Sequence, residues 1–129
     1  KQVDVAVNSY DRYESSDHAW LEIARNGADY LPTVDRCLKA LDGRGLRFDL
    51  CLYNAGMDPY ENCATGGMAG ITRDVLAHRE RLVFEWCRGR RLPIAFVLAG
   101  GYEGPRLDGA GLVHLHRLTL SSAAEASRV

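Results

Sequence analysis

Residues 94–99 read I-A-F-V-L-A, an unbroken apolar run held between Pro93 and the pair Gly100-Gly101. Bounded by breakers at both ends, a run this short is too brief for a helix. It reads as a strand buried on both faces, the habit of parallel sheets. Two other short segments have strand character: F-D-L-C-L-Y at 48–53 and the alternating V-D-V-A-V-N at 3–8. Longer amphipathic stretches separate them. Short strands alternating with amphipathic helices define an α/β class, with right-handed crossovers and a parallel sheet carrying helices on both faces, a three-layer α/β/α arrangement.

The helices are marked by stripe and cap. Over 29–41 the apolar residues Tyr30, Leu31, Val34, Cys37, Leu38 and Leu41 keep the spacing of one buried face. Asp29 is the expected N-cap, Pro32 falls in the first turn, and Asp42-Gly43 ends the helix. Thr72 is the expected cap of a second helix reaching to about Arg91, with Val75, Leu76, Leu82, Val83, Trp86 and Cys87 inward. A third runs from about Asp108 to Ser121 on Leu112, Leu115 and Leu118, and the tail 122–129 is expected to fray. The polar stretch 9–27 has room for one helical turn near 20–23. Three strands are few for such a sheet, and its edge would leave backbone groups unpaired. The chain therefore reads as a piece of a larger sheet, or as a domain whose edge is covered by another copy or partner.

Composition narrows the function. The 129 residues are 47% hydrophobic and 26% charged, with a net charge of −1, so no global field would recruit nucleic acid or an anionic membrane. The arginines at 88, 90 and 91 sit where a helix ends and complement its dipole. No apolar run reaches membrane-spanning length and no signal peptide is evident, so a cytoplasmic location is expected. The cysteines at 37, 51, 63 and 87 form no C-x-x-C pair. Cys37, Cys51 and Cys87 fall on apolar faces and read as buried thiols, whereas Cys63 stands in a loop.

Ligands of open parallel sheets bind beyond the carboxyl ends of strands. Two strands here end in unusual chemistry: Y-N-A-G-M-D-P at 53–59 and L-A-G-G-Y at 98–102. The glycines allow tight turns and close backbone approach. If the strands are neighbours, Asp58 and Tyr102 share one rim.

These stretches resemble a known family. The segment 48–61 (F-D-L-C-L-Y-N-A-G-M-D-P-Y-E), then I-T-R-D-V-L-A-H-R-E-R-L-V-F at 71–84 and R-G-R-R-L-P-I-A-F-V-L-A-G-G-Y at 88–102, are similar to histone deacetylases and their bacterial acetylpolyamine amidohydrolase relatives. The R-G-R-x-x-P-I lead into G-G-Y is especially similar to the class IV branch, and D-Y-L-P-T-V-D-R-C-L at 29–38 and V-N-S-Y-D at 7–11 match in order and spacing. The resemblance implies an arginase-like fold and a zinc-dependent deacetylase acting on an acylated amine such as acetyl-lysine or an acetylpolyamine. It implies Asp58 as a zinc ligand and Tyr102 as the hydrogen-bond donor to the substrate carbonyl. Gly100 and Gly101 would line the wall beside Tyr102, Thr65 would stand at the tunnel position where relatives carry leucine, and Tyr10 and Tyr13 would lie near the pocket mouth. Cys63 takes the place of the relatives' acidic residue.

The family's other zinc ligands form an Asp-x-His motif, and its general base comes from a His-His pair. Neither occurs among His18, His78, His114 and His116. A catalytic zinc needs several protein ligands plus a water, so this chain alone is expected to be inactive and to bind zinc weakly. It reads as the C-terminal portion, 1–129, of a catalytic domain whose N-terminal part lies before Lys1. Two other classes stay open: a non-catalytic assembly or binding module of deacetylase type, and a small Rossmann-like nucleotide binder. The last lacks a G-x-G-x-x-G turn or P-loop after any strand.

Overall fold

The computed structural model describes residues 5–8, 20–24, 26–43, 45 and 47–128, with side chains from residue 24 onward. The element order is β1 (Val5–Asn8), β2 (Trp20–Ile23), α1 (Gly27–Gly43), β3 (Cys51–Gly56), α2 (Arg73–Gly89), β4 (Ile94–Ala99) and α3 (Gly109–Ala126). It is a small α/β arrangement with two parallel strand pairs, β1 with β2 and β3 with β4. The β3–α2–β4 unit is the crossover that the alternation implied. Its register runs from Cys51 opposite Ile94 to Gly56 opposite Ala99. The ladder extends one bond past each end, Cys51 N–H to the Pro93 carbonyl at 2.9 Å and Met57 N–H to the Ala99 carbonyl at 3.0 Å.

Several boundaries differ from the sequence reading, each for a local reason. Residues 20–23 form a strand, not a helical turn, because Trp20 to Ile23 pair with Val5 to Asn8. Helix α1 starts at Gly27, because Asn26, not Asp29, caps it: the Asn26 Oδ1 accepts from the Asp29 N–H at 2.9 Å. Pro32 consequently lies inside the helix. Strand β3 is displaced toward Gly56, since pairing with β4 continues through Asn54 and Ala55. Helix α3 continues to Ala126, and the expected frayed tail is ordered helix, with Ser122 buried. The caps of the other helices fall where expected. Thr72 Oγ1 accepts from Val75 N–H at 3.3 Å, and Asp108 Oδ1 from Gly111 N–H at 2.8 Å.

Helix α2 is the hub, packed against both α1 and α3. Its Phe84 lies on the β3–β4 pair, edge-on to Tyr53 with ring centroids 6.0 Å apart and to Phe96 at 5.4 Å. Tyr30, Val34, Met57, Cys63, Ile71, Leu76, Leu115 and Leu118 close the core around the strand ends. The opposite face of the pair is uncovered among the described residues: Leu52 is 77% and Val97 60% exposed. The expectation of a strand buried on both faces at 94–99 is thus corrected. One helical layer packs on this pair, and alternate β4 residues face outward. Around the end of α2, Arg90 lies 4.3 Å over the Trp86 ring and its Nε donates to Asp42 at 2.6 Å, tying the C-termini of α1 and α2. That contact, with α2 ending at Gly89, gives Arg90 a structural use. No helix among the described residues is long and apolar enough to cross a membrane.

Leu76 is fully buried. Leu76→Ala should lower stability by about 2–5 kcal/mol, whereas Leu52→Ala should change it by less than about 0.5 kcal/mol, both read by urea unfolding of the 129-residue chain.

Candidate functional site

Because β3 and β4 are parallel neighbours, their carboxyl ends open on one rim. Asp58 follows β3 by two residues and Tyr102 follows β4 by three. The rim therefore holds both residues that the sequence analysis placed there. Glycine makes the approach possible. A Cβ on Gly100 would lie 2.3 Å from Asp58 Oδ1, and one on Gly56 would lie 2.8 Å from the same oxygen. The carboxylate occupies a cradle that any side chain at these two positions would fill. Gly100 also has φ +60°, in the left-handed region.

Gly101 has a different neighbourhood. Its missing Cβ makes room for Leu112 of α3 and for Met57. Tyr102 is 49% exposed, so its side chain is free to meet a ligand, while its carbonyl accepts from the Ala64 N–H at 3.2 Å. That bond fastens the Gly-Gly-Tyr turn to the loop after β3. The loop is folded on itself: Cys63 N–H reaches the Tyr60 carbonyl at 2.9 Å, Glu61 N–H the Ile71 carbonyl at 2.9 Å, and Met68 N–H the Pro59 carbonyl at 3.2 Å. Thr65 is exposed on this loop. Tyr10 and Tyr13 lie outside the described residues, as does His18.

Cys63 is buried and its Sγ donates to the Met57 carbonyl at 3.3 Å. Burial pushes its thiol pKa up and the nearby Asp58 charge adds to this, with a hydrogen bond from the Tyr102 backbone acting the other way. A thiol held neutral beside Asp58 is a poor metal ligand, since the thiolate is the form that binds. His78 and His114 are exposed, and His116 is partly buried on the other side of α3 from His114. Among the described residues no three His, Cys, Asp or Glu side chains come together as a metal site. The carboxylate of Asp58 in its glycine cradle is a hard oxygen donor of the kind that can serve as one ligand of a divalent cation.

Beneath the rim lies a cluster that the sequence reading missed. Arg79 and Glu80 of α2 are buried, forming an ion pair. Arg79 Nη1 donates to the Gly56 carbonyl at 2.7 Å and to the Tyr30 hydroxyl at 3.0 Å, and its Nε donates to Glu80 Oε1 at 3.0 Å. Tyr53 donates its hydroxyl proton to the same Glu80 oxygen at 3.1 Å. Burial drives the Tyr53 pKa strongly upward, opposed by Arg79 and reinforced by Glu80 and Tyr30, so the phenol stays a donor. Burial works against the Arg79 charge, but Tyr30, Tyr53 and Glu80 outweigh it and the guanidinium stays charged. A signal existed in the sequence: Glu80 stands in phase with Leu76, Phe84 and Cys87, a carboxylate on the buried stripe of α2.

Gly100→Ala should force the Asp58 carboxylate out of its cradle and cost more than about 1 kcal/mol, because it adds both a clash and a positive φ. Gly43→Ala, at the end of α1 with open space around it, should be neutral or stabilising. Thermal unfolding of the two variants checks the contrast.

Comparison with known proteins adds a partial likeness. No protein-family model matches the chain. It is similar to an uncharacterised protein of Picosynechococcus sp., 36% identical over 77 residues, which is 60% of this chain and 24% of that protein. It is also similar to histone deacetylase 2 of Arabidopsis thaliana, 30% identical over 74 residues, 57% of this chain and 19% of that protein. The matches thus span a quarter or less of the relatives' lengths, and the likeness to a histone deacetylase is weak and partial.

Proposed function

We propose that the chain is the C-terminal part of a zinc-dependent, deacetylase-like amidohydrolase that hydrolyses N-acyl amines of the acetyl-lysine or acetylpolyamine type. The observation that carries this reading is the rim: Asp58 seated over Gly56 and Gly100, two residues before the exposed Tyr102. The similarity to a plant histone deacetylase supports it. In this reading Asp58 gives its carboxylate to the metal, and the other ligands and the general base come from residues before Lys1. When bound, zinc would supply Lewis-acid polarisation of the acyl carbonyl and a water acidic enough to act near neutral pH. The Tyr102 hydroxyl donates a hydrogen bond to the acyl oxygen as negative charge gathers on it. The Gly100-Gly101 turn sets where that hydroxyl stands, and Thr65 makes the rim smaller and more polar than a leucine would. The remainder of the fold would be a three-layer, arginase-like sheet. The uncovered face with Leu52 and Val97 supports this, since parallel sheets are covered on both faces. On the same reading the 129-residue chain alone is inactive and holds zinc only weakly.

A second reading, a non-catalytic assembly module, draws on that same uncovered apolar face. The full-length protein decides between them. Loaded with zinc and offered an acetyl-lysine peptide or an acetylpolyamine, it should release acetate. Asp58→Asn should lose the metal. Tyr102→Phe should keep the metal and lower kcat by roughly 10²–10³-fold, the usual effect of removing one oxyanion donor. Release of no acetate from either substrate favours the module, and undiminished turnover in both variants refutes the assigned roles.

A further inference from the structure

The Arg79 guanidinium is placed to hold the peptide that leads into Asp58. Gly56 is the last residue of β3, and its carbonyl accepts from Arg79 Nη1 at 2.7 Å. The next residue, Met57, is fully buried, and its Sδ lies 3.9 Å from Arg79 Nη2. The residue after that is Asp58. The cation thus grips the two positions before the carboxylate, through a charge-assisted bond at the point where the strand ladder runs out. Its own orientation is over-determined. Glu80 holds one side of the guanidinium, with Nε donating at 3.0 Å, and the Tyr30 hydroxyl holds the other at 3.0 Å. Tyr53, from β3 itself, fixes Glu80 in turn at 3.1 Å.

We propose that Arg79 is the positioning residue of the Asp58 turn, with Glu80 and Tyr30 locking its guanidinium in the one orientation that reaches the Gly56 carbonyl. The consequence for metal binding rests on the reading of Asp58 as a zinc ligand; the hold on the turn does not. A purely structural role is the competing account, because a buried charge pair is costly to break wherever it stands. The two differ at the turn. Lysine keeps the charge but is a point donor without the planar fork, so it cannot serve Gly56, Tyr30 and Glu80 together.

The test uses the full-length protein with Arg79→Lys, Arg79→Met and, as a control for lost stability, Leu76→Ala, a buried residue of the same helix whose apolar side chain takes no part in the hydrogen bonds of Arg79, Glu80, Tyr30 and Gly56. Three quantities are read: zinc affinity by chelator competition, the urea midpoint, and hydrogen exchange at the amides of Met57 and Tyr60. The Met57 amide bonds across to the Ala99 carbonyl of β4 at 3.0 Å, and the Tyr60 amide bonds within the turn to the Met57 carbonyl at 3.1 Å. Arg79→Lys should weaken zinc binding by roughly 10–100-fold, the range for groups that orient metal ligands, and speed exchange at both amides. Leu76→Ala, at an equal or larger loss of midpoint, should leave zinc affinity within about twofold. If Arg79→Lys lowers the midpoint while zinc affinity and the two exchange rates follow the Leu76→Ala pattern, the positioning role is overturned. Should Asp58→Asn bind zinc as tightly as the parent protein, the ligand reading fails, and the exchange rates alone then decide for or against Arg79. Arg79→Met gives the larger expected effect, and Arg79→Lys keeps the comparison usable if Arg79→Met does not fold.

Discussion

The interaction on which the rest depends is the ion pair of Arg79 with Glu80, both buried within α2. Adjacent residues on a helix point in different directions, so the pair spans the width of the buried face and not one stripe of it. Glu80 looks to Tyr53 on β3, and Arg79 looks to Tyr30 on α1 and to the Gly56 carbonyl. One charged pair thus joins α1, α2 and the end of β3. Desolvating two charges costs several kcal/mol per ion, and their attraction offsets this only when most of their hydrogen-bonding capacity is met. Here five donor contacts are made by the guanidinium, while Glu80 Oε2 is left without a partner among the described residues. An apolar stripe would hold α2 to the sheet as firmly. What it would not do is fix a backbone carbonyl at the lip of the site.

Packing is lopsided in a way that matches this. Everything that α1, α2 and α3 bury lies on one side of β3 and β4, where Phe84 meets Tyr53 and Phe96 edge-on. The other side leaves Leu52 and Val97 in the open. An apolar face of that kind is normal for a sheet within a larger assembly and unusual for a monomer surface. The rim is nevertheless complete in its backbone. The 57–71 loop closes on its own hydrogen bonds, and the Gly-Gly-Tyr turn is fastened to it through Ala64. The local geometry of Asp58 is therefore set by residues between 30 and 112, whatever covers the outer face.

Where local signals decide, the sequence was readable. Ile94–Ala99 has the expected bounds because a proline and two glycines leave no other choice. Thr72 and Asp108 cap their helices because each is followed by an amide at the right spacing. Local signals failed where two were equivalent or where tertiary contact intervened. Asn26 and Asp29 are both good caps, and the chain uses the earlier one. Trp20 to Ile23 carry too few residues for periodicity to declare a strand, and only pairing with β1 does so. The end of α3 reads as a small, polar tail, but Ser122 is buried and the helix is kept. The same limit applies to the site. The strand ends placed Asp58 and Tyr102 on one rim, since glycine-flanked polar residues after apolar runs are a local pattern, and the parallel pairing of β3 and β4 has them there. Arg79 and Glu80 look like ordinary surface charges by type, and only their phase with Leu76 and Phe84 betrays burial.

The chemistry around Asp58 has a consistent sense. A carboxylate that is to hold a divalent cation must stay ionised, must not be neutralised by a direct cation of the protein, and must not be pulled out of position. Arg79 is turned to the Gly56 carbonyl and the Glu80 carboxylate. Its charge is spent on backbone and on Glu80, so it steadies the turn without capping Asp58. The thiol beside it is kept protonated by burial and by the Asp58 charge itself, so Cys63 adds neither a negative charge nor a rival ligand. The two glycines exclude side chains from the space that the carboxylate occupies. These arrangements leave Asp58 half-buried at the rim, in a space that two glycines keep clear of other side chains.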